Sequence, residues 1–156
     1  MLIGICSIEA ISKEDKNPKD TVIIQTGTKT YIPFTFLQKP VLQVVNERLN
    51  ISITDRTGDM IQLNGIDIAS LRKGILSPKE YRIIYISQKR GTATDDHDTN
   101  LNSLLEITRC ESNKPGSSIT LGLKSTVSNA GKNYRIYATI SGIIPTYSYN
   151  TTNLTK

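Results

Sequence analysis

The sequence predicts an all-β protein, a single jelly roll or a related antiparallel β-sandwich of about eight strands. Three observations carry that expectation. Short runs rich in Ile, Val, Thr and Tyr alternate apolar and polar residues at a period of two, as in Ile51, Ile53, Ile61 and Leu63. Turn signals such as Asn17-Pro18, Thr57-Gly58, Asn64-Gly65 and Pro115-Gly116 recur along the chain at roughly ten- to fifteen-residue intervals. Strands do not alternate with amphipathic helices as in a parallel α/β domain, and no internal repeat is present.

The elements follow in order. Residues 2–11 read as a first strand with Ile3, Ile5 and Ile8 as its apolar positions, and residues 13–19 as a charged turn. Residues 21–25 form a second strand, broken by Gly27. Bulky side chains alternate through residues 31–37, and Pro33, which lacks an N–H, places this segment at an edge or in irregular structure. Residues 41–45 suit a strand or a buried connection. Residues 50–54 and 60–63 form a meander, with Asp55, Gly58 and Asp59 marking the turn between them. Asn64 and Gly65 mark a tight turn after it, and the two glycines supply the positive φ such corners need. Residues 69–75 suit a short helical turn ended by Gly74, and Pro78 restarts the chain. Residues 81–87 are β-branched or aromatic almost throughout. Residues 89–100 read as a polar loop without an apolar anchor. Residues 101–110 read as a helical turn followed by a strand, 119–124 as a strand, and 127–133 as a turn around Gly131. In residues 134–140, Tyr134, Ile136, Ala138 and Ile140 face one way and Arg135, Tyr137 and Thr139 the other.

Residues 1–145 are thereby expected to form one domain. Residues 146–156 are a polar tail, either without fixed structure or an arm that orders against a neighbouring subunit through Tyr147 and Tyr149. Residues 1–11 have the character to add a strand to a neighbour's open edge.

A chain of 156 residues can bury a core without staples. Apolar residues make up 37%, Trp is absent, and Leu and Ala do not dominate, a balance that favours strands and loops. The net charge of +5 is spread over scattered Lys and Arg, with no run of four and no interleaved aromatic residues, so no specific nucleic-acid partner is predicted. Apolar runs fall short of the roughly 18 residues of a membrane helix, and the apolar start lacks the basic region of a secretory signal. A soluble chain without membrane insertion is expected.

Residues able to do chemistry do not fall into a motif. His97, the only histidine, lies in Asp95-Asp96-His97-Asp98. Adjacent residues on an extended loop point apart, whereas zinc needs converging ligands and a calcium loop needs alternating oxygens with a glycine. A solvated acidic loop is the preferred reading. Asp55, Asp59 and Asp67 would have to converge for acid–base work, and turn chemistry, in which Asp bonds its own backbone, is preferred for them. Cys6 and Cys110 suit either a disulfide or, as preferred, two small buried thiols. Sequons at Asn50, Asn150 and Asn153 are expected to be accidental. Dinucleotide, phosphate-loop and nucleophile-elbow motifs do not occur, so no catalytic residue, cofactor or metal is assigned and the chain is not expected to be an enzyme.

The stretch from Ile51 to Gly65 combines a strand ending in Asp55, a turn with Gly58, and Met60-Ile61-Gln62-Leu63-Asn64-Gly65. It resembles a pattern in the minor capsid (penton-type) jelly-roll proteins of Polinton-like viruses and virophages, where the hairpin likewise follows a segment like Tyr31-Ile32-Pro33. It is also similar to the N-terminal β-sandwich of phage baseplate and tail proteins, whose Asp-Leu-Thr-Gly corresponds to Gln62-Leu63-Asn64-Gly65. Gln62 and Asn64 depart from that pattern, and the chain is short for a full penton protein. Both resemblances imply a non-enzymatic part of a virion. It would be soluble in the host cell before assembly and act as a homo-oligomer, through contacts with a major capsid protein, or both. The alternatives are a tail, baseplate or capsid-decorating module, or a host-surface or glycan-binding module with Tyr137, Tyr147 and Tyr149 as its aromatic candidates.

Overall fold

The period-two runs become twelve strands in a computed structural model of the chain, which describes residues 19–95 and 103–150. They are β1 (Thr21–Thr26), β2 (Thr30–Ile32), β3 (Val41–Val45), β4 (Arg48–Thr54), β5 (Met60–Asp67) and β6 (Gly74–Leu76), followed by β7 (Arg82–Ser87), β8 (Gly91–Thr94), β9 (Leu104–Cys110), β10 (Ser118–Asn129), β11 (Lys132–Ile143) and β12 (Tyr147–Ser148). Two 3₁₀ turns, Ile68–Ser70 and Pro78–Glu80, interrupt them. The strands bond in the order β12-β3-β4-β5-β7-β8-β10-β11-β1-β2, with β9 on β10 and β6 on β9. The pairs are antiparallel except β12 on β3, which is parallel. The protein is all-β and sandwich-like, as expected, though with more and shorter strands than about eight. The additions are mostly short pieces, β2, β6, β8 and β12, which pairing partners define more than composition does.

The long β10–β11 hairpin organises the sheet. Ala130 (φ 49°) and Gly131 (φ 81°) form a two-residue turn between Asn129 and Lys132, both residues at positive φ, a geometry whose twist matches the strands. Residues 127–133 are thus mostly strand, with the turn confined to two residues, because Val127 and Tyr134 continue the buried face on either side. β9 lies along one half of β10 and β8 meets it at Ser128, so the sheet forks at this strand. One branch brings Leu49, Ile51, Ile53, Ile61, Leu63, Ile66 and Ile83 into the same core as Leu121, Leu123, Val127, Ile136, Ile140 and Ile24 of β10, β11 and β1. Tyr85 and Tyr134 meet edge-on across that core, ring centres 5.5 Å apart. At the rim Leu42 packs so tightly on Gly142 that a Cβ there would stand 2.7 Å from its Cδ1.

Several expectations change in detail. Asn64 and Gly65 sit inside β5 and not at a hairpin end. Pairing passes from Leu49↔Ile66 to Ile51↔Leu63, two residues opposite one, which is a β-bulge. Gly65 has the positive φ expected of it, +84°, and Asn50 Oδ1 accepts a hydrogen bond from its N–H at 2.9 Å. The strand continues because Ile66, reset in phase by the bulge, is as buried as Ile61 and Leu63. The segment after residue 89 has an apolar anchor after all: Ala93, 1% exposed, holds β8 against β7. The helical turn expected over 69–75 is the single 3₁₀ turn Ile68–Ser70, and Gly74 begins β6.

The expected boundary at residue 145 also moves. β12 pairs with β3, Asn46 N–H donates to Ser148 O at 2.9 Å, and Ser148 Oγ donates to Val44 O at 3.0 Å. Tyr147 packs against the core and its hydroxyl donates to Asn113 O. Residues 147–150 therefore belong to the domain. The strand expected at 2–11, Cys6, Asp96, His97, Asp98 and the end of the tail lie outside the described residues. Among the described residues no helix is long and apolar enough to cross a membrane.

Candidate interaction surface

The carboxylates raised as acid–base candidates are each tied into local structure. Asp55, 3% exposed, accepts from Thr57 N–H at 2.5 Å and Thr35 N–H at 2.7 Å. Its own N–H donates to Asp59 O at 2.8 Å and Gly58 N–H donates to Asp55 O at 3.0 Å, which closes the turn. Burial pushes the Asp55 carboxyl up, but the hydrogen bonds from Thr57 and Thr35 outweigh it and hold the group below its ordinary value. Asp59 accepts the Tyr85 hydroxyl at 2.9 Å and has Arg90 at 3.9 Å. Asp67 caps the first 3₁₀ turn through Ala69 N–H at 3.0 Å and pairs with Arg48 at 3.7 Å. The Asp55 and Asp67 side chains bond backbone N–H groups two residues on, as turn residues do, whereas the Asp59 side chain bonds Tyr85 across the sheet. Asp95, expected in a solvated loop, is 5% exposed; it accepts from Ile83 N–H at 3.1 Å and has Arg82 at 3.8 Å. The register of β7 against β8 carries it inward. Cys110 contacts the Leu71 and Ser112 carbonyls, and burial pushes its thiol up, so it stays protonated near neutral pH. Among the described residues no three His, Cys, Asp or Glu side chains are grouped to hold a metal ion.

The outward side chains of β9, β10, β11, β1 and β2 tell a different story. Pairing aligns them in rows across the sheet. Leu104, Lys124, Tyr137 and Ile23 form one row. Toward the Ala130-Gly131 turn the next row is Thr126, Arg135, Gln25 and Tyr31; on the other side lies Glu106, Gly122, Thr139 and Thr21. Ile23 is 49% exposed, Leu104 41% and Tyr31 61%. Lys124 Nζ stands 5.9 Å from the centre of the Tyr137 ring. Gly122 contributes no side chain, and nothing lies within 4 Å of where its Cβ would be. The result is a shallow depression of about 280 Å³ bordered by Ile23, Leu104, Lys124 and Tyr137, with Glu106 at its far side.

An open groove of about 1110 Å³ adjoins this depression and shares Leu104, Lys124 and Tyr137 with it. Arg90, Lys124, Lys132 and Arg135 line it together with Thr26, Thr28 and Ser103, and its described lining contains no carboxylate. The other outer face is mainly polar, with Arg48, Asn50, Ser52 and Thr54 on β4, Gln62 and Asn64 on β5 and Arg82 on β7, while Met60, Ile84 and Ile86 are half-buried.

The sequence shows these cations as scattered because cross-strand register, not sequence proximity, gathers them. The readable signal was the tight turn at Gly131: it places Arg135 opposite Thr126 and Lys124 opposite Tyr137. Of the aromatic contact candidates, Tyr137 lies on this face, Tyr149 is exposed beyond β12, and Tyr147 is engaged by the core. No protein-family model, curated protein or solved structure matches this chain.

Proposed function

We propose that this protein is a non-enzymatic contact module, a structural component of a virus particle of the minor-capsid, penton-like kind. It works by binding copies of itself or a major shell protein. The observation that carries this reading is the outer face of β1, β9, β10 and β11, where Ile23, Leu104 and Tyr137 stand beside Lys124 and Arg135. None of these outward side chains belongs to the core, whereas Asp55, Asp59 and Asp95 are engaged in holding turns and strands. A specific contact of this kind buries on the order of 1,200–2,000 Å² in total. The two outer faces differ in character, which favours head-to-tail contacts that close into rings.

Light scattering on a concentration series is the test. Assembly should grow with concentration, and Ile23→Asp should reduce it with thermal unfolding unchanged, since that side chain is half exposed. A strict monomer that also fails to join shell protein sinks the reading. Its viral half has a separate check: genes for shell, protease or packaging proteins should flank this one, and neighbours of unrelated metabolism count against it.

A further inference from the structure

We infer that the outer face of β1, β9, β10 and β11 takes an extended acidic peptide segment of a partner protein, one that also carries a single apolar side chain. The inference rests on the contact-module reading and names the chemistry of the partner.

Charge selects the first half of the ligand. Arg90, Lys124, Lys132 and Arg135 line the groove, and Asp59, 3.9 Å from Arg90, accepts from Tyr85 on the buried side. Asp and Glu side chains would meet opposite charge along the groove. Surrounding hydroxyls on Thr26, Thr28 and Ser103 supply hydrogen bonds to a peptide backbone or to carboxylate oxygens.

Shape selects the second half. The depression over Gly122 continues directly from the groove, with Leu104 and Tyr137 belonging to both. Outward positions on one strand repeat about every 6.5–7 Å, and an extended peptide presents same-side residues at the same repeat. A peptide laid along Arg135, Tyr137 and Thr139 therefore sets an acidic residue beside Arg135 and an apolar one over Gly122. A nucleic acid or a sulfated glycan satisfies the cations but has no aliphatic group for the depression. Stacking of a base on Tyr137 must also compete with Lys124, already placed over that ring.

The test uses the full chain and fluorescence anisotropy. One probe is a short labelled synthetic peptide with a Glu/Asp run followed by Leu; the second is the same peptide with Ser in place of Leu. The Leu peptide should bind roughly tenfold more tightly, the scale set by burying one such side chain. Arg135→Glu should weaken both probes roughly tenfold or more. Gly122→Leu fills the depression, so it should abolish the preference for the Leu peptide and leave binding of the Ser peptide intact. That variant should fold, since a side chain at Gly122 meets open space. Equal binding of the two peptides overturns the inference, as does binding of neither. Tighter binding of a single-stranded oligonucleotide or heparin, indifferent to Gly122→Leu, overturns it in favour of a polyanion. Light scattering on the same samples separates the two levels: assembly that persists while peptide binding is missing leaves the contact module standing without this partner.

Discussion

Asp55 shows how much one side chain can fix. Both oxygens are engaged, one by the loop at Thr35 and one by its own turn at Thr57, so the group ties two segments together. Its carboxyl is held below the ordinary 3.8. The stability it contributes is therefore complete above that value and is lost as pH falls through the lowered folded value. Asp55→Asn should cost about 1.5–3 kcal/mol near neutral pH and make the acid decline shallower; an unchanged denaturation midpoint would show that these bonds contribute nothing net. Tyr85 is the alkaline counterpart. Burial, then the hydrogen bond to Asp59, pushes its phenol up from 10 to about 12. Stability from the neutral phenol is full below 10 and lost as pH rises toward 12. Tyr85→Phe should flatten the alkaline limb of a stability–pH profile, and an identical limb would assign that limb elsewhere, as to Tyr81, whose phenol burial also raises. Gly65 needs φ +84° although its Cβ would meet open space, so the obstacle to substitution is backbone alone. Gly65→Val should cost on the order of 1–3 kcal/mol and Gly65→Asn clearly less by chemical denaturation; equal costs would point to packing. Asp55 and Gly58 were legible in the sequence because turn chemistry is local. The setting of Gly65 was not, because a bulge exists only relative to the opposing strand.

At the scale of elements, the central strands announced themselves. β4 and β7 carry unbroken alternation, β11 does so from Asn133 to Ser141, and β5 does so on either side of its bulge. The short edge pieces did not, since β6, Gly-Ile-Leu, and β12, Tyr-Ser, are strands only by virtue of β9 and β3. β12 changes what the tail is expected to do. A tail outside the domain could be removed without cost to the fold, but Tyr147 packs against the core and Ser148 pairs in the sheet. Tyr147→Ala should lower stability by about 1–3 kcal/mol, measured by chemical denaturation. Stability equal to wild type would mean that β12 detaches readily in solution. Tyr149, by contrast, is 58% exposed, and its removal should leave unfolding unaltered.

For the whole molecule, the fold class followed from periodicity, while the path of the chain through the sheet did not. Composition cannot say that β10 will share its length between β9 and β8, and that fork decides which outward residues become neighbours. The same holds for the basic groove: Arg90 comes from the link between β7 and β8, and Lys124 and Arg135 from the hairpin that follows much later. Charge at the level of the chain, +5, was correct and uninformative until register concentrated it. β1 completes the picture, because it precedes β11 in the chain and pairs with it, Thr21 against Thr139. On the ribosome Ile24 has no permanent cover until β11 has been translated, nearly the whole described chain later. A nascent chain of this kind stays sticky until a late cooperative closure, so an interrupted message should yield aggregate or degraded product and not a smaller working piece.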